Sequence, residues 1–524
     1  MTPQIAITAC PGSSSSRFKL RCVALLLLFL AGTAFAQTLP TNRAFSQTPA
    51  QVLDGRATLT QHYDPTKKLR LTLALTPPHM DEERQLIDEL HDKKSPEFHH
   101  FLTGEQWNAR FSPSSEDEQA VVNWAQSQGF TITNRYANRL LVDVEAPAGT
   151  IEKALNVKIN NYQMGSNTYY SIDRDPEIPS GLTNTVQAIL GLHSFLQLRP
   201  AHTGAQPAPS GPDYVPGPAE ATIPAQQAAG DKQKLAEAMT LSKARAARRL
   251  QAAKTDGPQI TYGYYDPTDI YSSQAYDWDA LDALQHCCNP INDQAGSPPQ
   301  SSIAIASFGD LNFADVAGFH NHYPYLAYNI QKILIDGGYT CNDQPGKPDD
   351  KCLEVTADTE FSLAMANSFG SALSTAKIWV YEGAHFGEVA DVYNHMAEDG
   401  HARVASLSWA CEEFTCFDGP TMKALDGIFA SMVGQGWTLV TASGDAGATA
   451  GCGDKLAVEF PASDPNMVAA GGTKLLFNPD SNVASYQSET GWEGTPWAGS
   501  CSQNLGGSTG GFSTAFGAPS YQAG

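Results

Sequence analysis

The sequence has little positive charge. Its 524 residues include 33 Lys and Arg against 55 Asp and Glu, which gives a formal net charge of -22. A nucleic-acid partner requires clustered basic residues to neutralise phosphates, so this balance argues against one. The excess of carboxylates suits a protein that stays folded in acid, because protonation relieves the repulsion among them.

Long hydrophobic runs are scarce, and the one notable run lies near the N-terminus. Arg17, Lys19 and Arg21 precede the apolar run 23–30, and a small-residue Ala-x-Ala motif ends at Ala36. The run is too short to cross a bilayer, so residues 1–36 are predicted to be a secretory signal peptide, with an uncleaved anchor as the alternative. We therefore expect a secreted protein, extracellular or periplasmic, without membrane contact after signal cleavage.

Zinc-binding cysteine motifs are also missing. No Cys-x-x-Cys pair occurs, and no histidine spacing typical of a zinc site accompanies the cysteines, although zinc remains the alternative to disulfides. An even number of cysteines in an exported chain predicts disulfides, and pairing of nearest neighbours suggests Cys341–Cys352 and Cys411–Cys416. Eight cysteines remain after removal of the signal peptide: Cys287, Cys288, Cys341, Cys352, Cys411, Cys416, Cys452 and Cys501.

The length predicts two or more domains. Residues 37–198 interleave short strands and helices, which predicts a small α+β domain. Residues 199–257 are rich in Ala, Pro and Gln, which predicts a linker, and the basic residues 243–249 are either a processing site or a solvated helix face. Residues 258–524 alternate buried strands with helices, which predicts an α/β fold with a parallel sheet covered on both faces. The predicted strands of this last segment are 302–307, 330–335, 377–381, 403–407 and 437–441, and the predicted helices are 354–368, 387–398 and 420–434.

An acidic pair opens the first of these helices. Glu354 and Asp358 are four residues apart, so they share one helix face. The same face continues into the apolar Phe361 and Met365, whereas Glu360 points elsewhere. Partial burial and mutual repulsion predict that at least one acid of the pair keeps its proton to unusually high pH, as in a shared-proton acid/base pair. The alternative is an acidic helix face in water.

Two polar segments follow predicted strands, where functional groups of parallel sheets gather. Ser408 and Trp409 follow one strand, and Ser443–Gly447 follows another. Asp445 is either an ordinary turn residue or a protonated donor to a developing oxyanion. Trp409 either packs in the core or lines a substrate groove, where its indole N–H could orient the acidic pair.

A Ser/His/Asp triad is not indicated. None of the 13 histidines has a recognisable triad setting. Ser508 lies in the glycine-rich run Gly506–Gly511, but nothing fixes it before a helix, as a nucleophile elbow requires. The glycine-rich runs are not phosphate-binding loops, since no Gly-Lys-Ser/Thr follows them.

Several short motifs, each weak alone, are specific in their order and spacing. They are Ser95-Pro-Glu-Phe-His-His-Phe-Leu102, Ile303-Ala-Ile305, Glu354-x-x-x-Asp358, Ser406-Leu-Ser-Trp409, Ser443-Gly-Asp445-x-Gly447, Phe460-Pro-Ala-Ser463, Gly471-Gly-Thr473, Gly510-Gly-Phe-Ser513 and Pro519-Ser-Tyr-Gln522. With these motifs the chain resembles the sedolisins, the serine-carboxyl peptidases of the kumamolisin and pseudomonalisin group. Residues 69–195 resemble the family's activation prodomain, and residues 260–524 resemble its peptidase domain, which has a subtilisin-like fold.

The resemblance implies a role for each site residue. Glu354 would be the general base, Asp358 the acid that orients it, and Asp445 the oxyanion donor, with Ser408 and Trp409 binding substrate. The nucleophile would be a serine in a Gly-Thr-Ser turn, activated by glutamate at an acid pH where a histidine base would be protonated. Substrates would be proteins and peptides, and the prodomain would act as intramolecular chaperone and inhibitor until the linker is cut.

The sequence departs from the family pattern at several points. It stops at Gly524, before the Gly-Thr-Ser segment, so we expect an incomplete chain that is inactive by itself. The implied Ca²⁺ would be held by oxygen ligands beyond that residue, with none in this chain. Ser307 stands where some relatives place a further carboxyl, and Ala410 replaces a usual glycine. A non-catalytic binding or inhibitory protein is the alternative; a glycosidase is disfavoured, because a helical pair lies on one face instead of flanking a sugar.

Overall fold

A computed structural model of the chain describes residues 46–196, 198–200, 220–223, 302–323, 328–342, 349–366, 376–450, 456–477, 486–492, 495–496 and 505–522. The predicted signal peptide 1–36 and most of the predicted linker lie outside these residues. None of the helices within the described ranges is long and apolar enough to cross a membrane.

The N-terminal region is built on two antiparallel sheets. A four-stranded sheet has the order β3-β4-β2-β7, and a three-stranded sheet has the order β1-β5-β6. The inward residues of β2, among them Leu71 and Leu73, form one core with Val142 and with residues of α4 and α5. The elements are α1 (Ala50–Leu53), β1 (Thr58–His62), β2 (Lys68–Leu75), α2 (Met80–His91), α3 (Gly104–Phe111), α4 (Ser115–Ser127), β3 (Thr131–Arg135), β4 (Leu141–Pro147), α5 (Ala148–Leu155), β5 (Ile159–Met164), β6 (Asn167–Ile172) and β7 (Val186–Leu190).

The C-terminal region contains the predicted parallel sheet. Its order is β17-β15-β13-β10-β12-β11-β9, in which every neighbouring pair is parallel except the edge pair β11 and β9. The elements are β8 (Arg199–Pro200), β9 (Glu220–Ile223), β10 (Ser302–Ser307), α6 (Phe313–His322), β11 (Tyr328–Ile335), α7 (Asp350–Ala366), β12 (Lys377–Gly383), α8 (Val389–Asp399), β13 (Val404–Leu407), β14 (Trp409–Glu412), α9 (Gly419–Gly434), β15 (Thr438–Ala442), β16 (Glu459–Phe460), β17 (Val468–Ala470), β18 (Thr473–Phe477), β19 (Tyr486–Gly491), β20 (Thr495–Pro496) and β21 (Leu505–Gly506).

Helices cover both faces of this sheet, so the predicted α/β architecture is confirmed. Residues of α6 and α7 form a core with Ile305, Ile330 and Ile378 on one face. Residues of α8 and α9 pack with Ala304 and Ala306 on the other face. The alternation of side chains along a strand explains this division, since odd and even positions of β10 point to opposite faces.

Several short elements of the structure were not predicted from the sequence. The short strands β8 and β9 fall inside the predicted linker, and β9 extends the main sheet by pairing with β11. Helix α3 was not among the predicted elements, although the Thr103 side chain and Gln106 form a capping box at its start. That threonine-x-x-glutamine spacing is a sequence signal for a helix N-terminus.

The N- and C-terminal regions share one hydrophobic core. Trp107 of α3 is fully buried, lies in one cluster with Phe429 and Met432 of α9, and contacts the position of Gly434. The backbone N–H of Leu102 donates to the Gly434 carbonyl at 3.0 Å. The contact between the two regions is therefore core-like packing instead of a hydrated surface contact.

A buried carboxyl pair crosses this interface. Asp143 of β4 and Asp391 of α8 are both inaccessible to solvent. The Tyr136 hydroxyl lies 3.2 Å from an oxygen of each, and Arg70 Nη2 lies 3.0 Å from Asp143 and 3.2 Å from Asp391. Arg70 also contacts Asp336. The single Arg70 guanidinium thus contacts three carboxyl groups. Because it carries only one positive charge, protonation of one member of the buried pair would reduce the repulsion within that pair.

Two disulfides are present among the described cysteines, and both predicted pairings are confirmed. Cys341 is bonded to Cys352, and Cys411 is bonded to Cys416. The first joins the loop after β11 to the first turn of α7, and the second closes the loop between β14 and α9. Cys10 and Cys22 lie outside the described residues, and so do the other four cysteines that follow the predicted signal peptide: Cys287, Cys288, Cys452 and Cys501.

The buried pair predicts a pH-dependent effect of the substitution Asp391→Asn. Burial, with a contribution from Asp143 and against that of Arg70, raises the pKa of Asp391 well above its usual range. Stability from this group is therefore present in acid and lost as the pH rises, because ionisation is unfavourable only in the folded chain. Asn imitates the protonated form, so D391N should raise the free energy of unfolding at about pH 7 by on the order of 1 kcal/mol and change it little at about pH 3.

Urea unfolding of the full chain at both pH values measures this difference. The matched control is Asp81→Asn, at a fully exposed side chain, which should change stability little at either pH. An equal shift for D391N at both pH values, or a loss of stability at the higher one, would contradict the expectation.

Candidate active site

The acidic pair lies near the carboxyl edge of the parallel sheet. Helix α7 follows β11 and leads into β12, so its first turns are placed where the parallel strands end. Glu354 is in the second turn and is only 4% exposed. The predicted partial burial of the pair is confirmed, since Asp358 is half-buried as well.

Asp358 is held by a residue that the sequence also singles out. The Ser408 hydroxyl, at the end of β13, donates a hydrogen bond of 2.8 Å to Asp358 Oδ1. The other oxygen, Oδ2, is buried and has no hydrogen-bond partner among the described residues. Burial raises the pKa of Asp358 to about 6, against the lowering effect of the Ser408 hydrogen bond. The prediction that at least one acid of the pair keeps its proton to unusually high pH is thus confirmed.

The rest of the helix face differs in part from the prediction. Phe361 does not extend a buried stripe: it is 61% exposed, so that expectation is wrong. The buried side of α7 is centred on Val355, Thr359 and Leu363, and the acids lie at the border of that side. Met365 is partly buried against the same core. The helical period gives the relative directions of side chains but not which of them a neighbouring loop covers.

Glu360 points away from the acidic pair, as predicted. Its pKa is raised to about 8 by burial and by the negative charge of Asp315 on α6. This carboxyl belongs to the contact between α6 and α7, so it provides a buried acid on the same helix outside the candidate site.

Asp445 follows β15, the strand beside β13. Gly444 before it has a φ of +109°, and an added Cβ there would lie 2.7 Å from Thr509 Oγ1, so this position requires glycine. The Asp445 carbonyl accepts a hydrogen bond of 3.0 Å from the Gly507 N–H. Burial raises the pKa of Asp445 to about 7. The carboxyl is therefore mostly protonated in acid and able to donate a hydrogen bond.

A set of polar atoms surrounds this turn. Asp445 Oδ2, Ser443 Oγ and Thr509 Oγ1 are all buried, and none has a hydrogen-bond partner within the described ranges. Sequence reasoning missed Thr509, which lies in the glycine-rich run and whose N–H donates to the Gly444 carbonyl at 3.0 Å. Buried polar atoms normally have partners, so such a group is typical of a place where a ligand or a reacting atom binds.

Trp409 is fully buried. Its ring meets the Phe308 ring edge-on with centroids 5.6 Å apart, and the Phe386 ring lies 5.9 Å away. Its indole N–H has no hydrogen-bond partner in the described part of the chain. The side chain thus packs in the core, and its contact with a substrate or with the acidic pair stays a prediction.

The backbone of the same segment pairs with an extended strand. Trp409 is opposite Pro200 and Ala410 is opposite Arg199 in the antiparallel pair of β14 and β8. On its other side β14 pairs with β16. Strand β8 also runs beside α7. An extended segment can therefore be held between the edge of β14 and the helix that carries Glu354 and Asp358.

The remaining predicted features are less informative. The Ser508 hydroxyl donates to the Gly472 carbonyl at 3.0 Å, and residues 509–519 after it form no helix. Within the described ranges, no group of three or more His, Cys, Asp or Glu side chains is arranged to hold a metal ion. We assign no calcium ligand, and calcium binding stays a prediction from the resemblance.

The bond between Ser408 and Asp358 predicts the effect of Ser408→Ala. The hydroxyl favours the ionised carboxylate, so its removal should raise the pKa of Asp358 above its value of about 6, by up to about one pH unit. The side-chain ¹³C shift of Asp358, assigned with Asp358→Asn, measures the change. Ser431→Ala, which removes a buried hydroxyl that donates to Ile428, is the control and should leave the titration unchanged. An unchanged or lower midpoint in S408A would refute the role given to this bond.

The chain is similar in sequence to several known proteins. Residues 56–195 match the family described as Pro-kumamolisin, activation domain. The chain is 25% identical to sedolisin of Pseudomonas sp. (strain 101), over 96% of this chain and 75% of the relative. It is 23% identical to xanthomonalisin of Xanthomonas sp. (strain T-22), over 94% of this chain and 56% of that protein. It is 24% identical to kumamolisin of Bacillus sp. (strain MN-32), over 80% and 63% respectively.

A solved structure of Pseudomonas sedolisin, a serine-carboxyl proteinase complexed with two molecules of pseudo-iodotyrostatin, aligns with a TM-score of 0.38. The alignment covers 49% of this chain and 66% of that one, at 23% identity. The sequence matches cover the activation domain and most of the chain. Residues 56–195 thus match a pro-kumamolisin activation domain, and the chain is a homologue of sedolisin, xanthomonalisin and kumamolisin.

Proposed function

We propose that this chain is the zymogen form of a secreted, acid-acting serine-carboxyl endopeptidase. One observation carries the proposal. Asp445 follows β15, and Asp358 is hydrogen-bonded to Ser408 at the end of the neighbouring strand β13. Each of these two carboxyls has a raised pKa, and each has a buried Oδ2 without a hydrogen-bond partner among the described residues. Protonated carboxyls in such a position can donate hydrogen bonds that ionised ones cannot. Perturbed acids gathered at one edge of a sheet are typical of a catalytic site.

The proposed mechanism uses three acids in different roles. Glu354 removes the proton from a serine hydroxyl as its oxygen attacks the substrate carbonyl. Asp358, protonated in acid, donates a hydrogen bond to Glu354 and keeps its carboxylate oriented. Asp445, also protonated, donates to the oxygen that becomes negative in the tetrahedral intermediate. Peptide-bond cleavage follows when the glutamate returns its proton to the leaving amine.

The pKa values set the direction of the pH dependence. The protonated forms of Asp358 and Asp445 are present below a pKa of about 6 and about 7 respectively, and are lost as the pH rises through these values. Activity should therefore decline toward neutral pH. A histidine base would be charged and unable to accept a proton in the acid range, whereas a glutamate can still be ionised there.

The nucleophile is the missing part of the proposal. No Gly-Thr-Ser occurs among the 524 residues, so we propose that the serine is not encoded in the sequence printed here. Ser508 is not favoured, because its hydroxyl is bonded to the Gly472 carbonyl. The same absence supports the second candidate, a non-catalytic protein of this family that binds or inhibits another peptidase.

The prodomain is proposed to act as intramolecular chaperone and inhibitor. Support comes from the pairing of β8, just after the activation domain, with Trp409 and Ala410. A substrate peptide would add to the edge of β14 in the same antiparallel manner, with Ser408 and Trp409 as the binding segment. Cleavage of the linker would then release the groove. The basic and apolar segments within residues 1–36 support export.

The direct test measures hydrolysis of denatured protein at low pH by the complete product of the gene that encodes this chain. Glu354→Gln and Asp358→Asn should lower kcat by about a hundredfold to ten-thousandfold, as for loss of a general base and its partner. Asp445→Asn should lower it by about a hundredfold to a thousandfold, as for loss of an oxyanion donor. Glu360→Gln, a buried acid on the other face of α7, is the matched control and should remain close to the parent.

The 524-residue chain assayed in parallel should show no turnover. Turnover by this chain would refute the absence of the nucleophile. Full activity of E354Q would exclude the glutamate-base mechanism, and a complete product that binds a peptidase without any hydrolysis would favour the non-catalytic alternative.

A further inference from the structure

A second set of charged side chains is buried behind the start of α7. Lys332 of β11, Asp310 after β10 and Glu382 of β12 have side chains that are 6%, 8% and 0% exposed. The Lys332 ammonium contacts an oxygen of Asp310, and it lies 3.8 Å from Glu382 Oε2. None of these three residues has a role in the proposed reaction. A buried charge cluster is costly, so its function in the fold requires an explanation.

The cluster holds the loop that follows β10. The Leu311 N–H donates to Glu382 Oε1 at 2.9 Å, and the Lys332 ammonium donates to the Leu311 carbonyl at 3.4 Å. Lys332 also contacts Asp310, so the cluster holds two consecutive residues of the loop, Asp310 and Leu311. Charge-assisted bonds in a buried setting are stronger and more directional than surface bonds, so the loop has little freedom.

The same loop lies directly against the first turn of α7. A Cβ added to Gly309 would lie 2.1 Å from the Lys351 carbonyl oxygen and 3.0 Å from the Cys352 nitrogen, so the two backbones touch. Lys351 stands three residues before Glu354, less than one helical turn away. Any displacement of the loop toward the helix must therefore move the first turn of α7, and with it Glu354 at the start of the second turn.

The first turn of α7 is also held by a second loop, the one that follows β11. Asp349 accepts the Lys351 N–H at 3.0 Å and the Tyr339 hydroxyl at 2.9 Å. The disulfide between Cys341 and Cys352 joins the same two segments. The first turn of α7 is thus held by contacts with two loops, one after β11 and one after β10.

We propose that Lys332, Asp310 and Glu382 are positioning residues for Glu354. They fix the loop 308–311 against Lys351, and this contact sets where the Glu354 carboxyl stands relative to Asp358 and the strand ends. The role of Glu354 rests on the proposed function, whereas the mechanical coupling from Glu382 through Leu311 and Gly309 does not.

The protonation of the cluster agrees with this role in acid. Burial raises the pKa of Glu382 to about 8; Lys332 opposes this shift and Asp310 adds to it. In acid the Glu382 carboxyl is therefore neutral. Its bond to Leu311 is kept, because a neutral carboxyl still offers a carbonyl oxygen as acceptor.

The experiment compares the labelling of individual carboxyls in the full chain. A water-soluble carbodiimide and an amine are applied at about pH 5, where raised-pKa acids are protonated, and peptide mass spectrometry gives the rate at each residue. The readout is the rate at Glu354 and Asp358 relative to Glu360 on the other face of the same helix. General loosening of the fold would raise all three rates together, so the ratio separates positioning from stability.

Glu382→Val removes the acceptor of the Leu311 N–H. Gly309→Ala adds a methyl group against the Lys351 backbone and leaves the three charged side chains unchanged. Both should change the ratio by about threefold or more, the size of half a pH unit in a carboxyl titration. Glu382→Gln keeps the acceptor oxygen and should rescue the parent ratio. If E382V does not fold, G309A and E382Q remain as the decisive pair.

Unchanged ratios in folded E382V and G309A would overturn the proposal. A change in E382Q as large as that in E382V would also overturn it, because the bond to Leu311 would then not be the link. The assay needs no turnover. If the chain shows the expected ratios but the complete gene product does not hydrolyse denatured protein, the proposed function is refuted and the positioning role is retained.

Discussion

A carboxyl group removed from water must keep its proton, find a cation or accept hydrogen bonds, and the described part of this protein depends on that constraint in three regions. Asp358 accepts a bond from Ser408, and Asp445 meets the constraint with a raised pKa. At the interface, Asp143 and Asp391 share Arg70 and Tyr136. Each region is best satisfied when some carboxyls are neutral. Several buried carboxyls of this acidic chain therefore have a raised pKa.

The topology of the parallel sheet brings acids of the candidate site to one edge. Strands β10, β13 and β15 run in the same direction, so the segments after them reach a common edge. Helix α7 returns from that edge and places its first turns beside them. The acids of the candidate site come from segments almost a hundred residues apart, and the topology alone brings them to one side of the molecule.

Much of this arrangement could be predicted from the sequence. The spacing of Glu354 and Asp358, the strand before Asp445 and the two described disulfides all follow from local patterns. The exposure of Phe361 could not be predicted, because a helical period does not show which loops cover a face. The group around Thr509 could not be found either, since its contact with Gly444 joins segments without any shared pattern. Strand β8 has two residues, too few for a periodic signal.

The pairing of β8 with β14 has a consequence for which segment occupies this edge of β14. The pairing joins main chains only, so an extended peptide can pair in the same way with little dependence on its side chains. The attached segment nevertheless has the advantage of its tether, which keeps its local concentration at the order of millimolar for a short flexible connection. A single cut in the tether would replace that value by the dilute concentration of the free fragment. The fraction of molecules in which the segment stays paired with β14 would then depend on the concentration of the free fragment, although the contacts themselves would be unchanged.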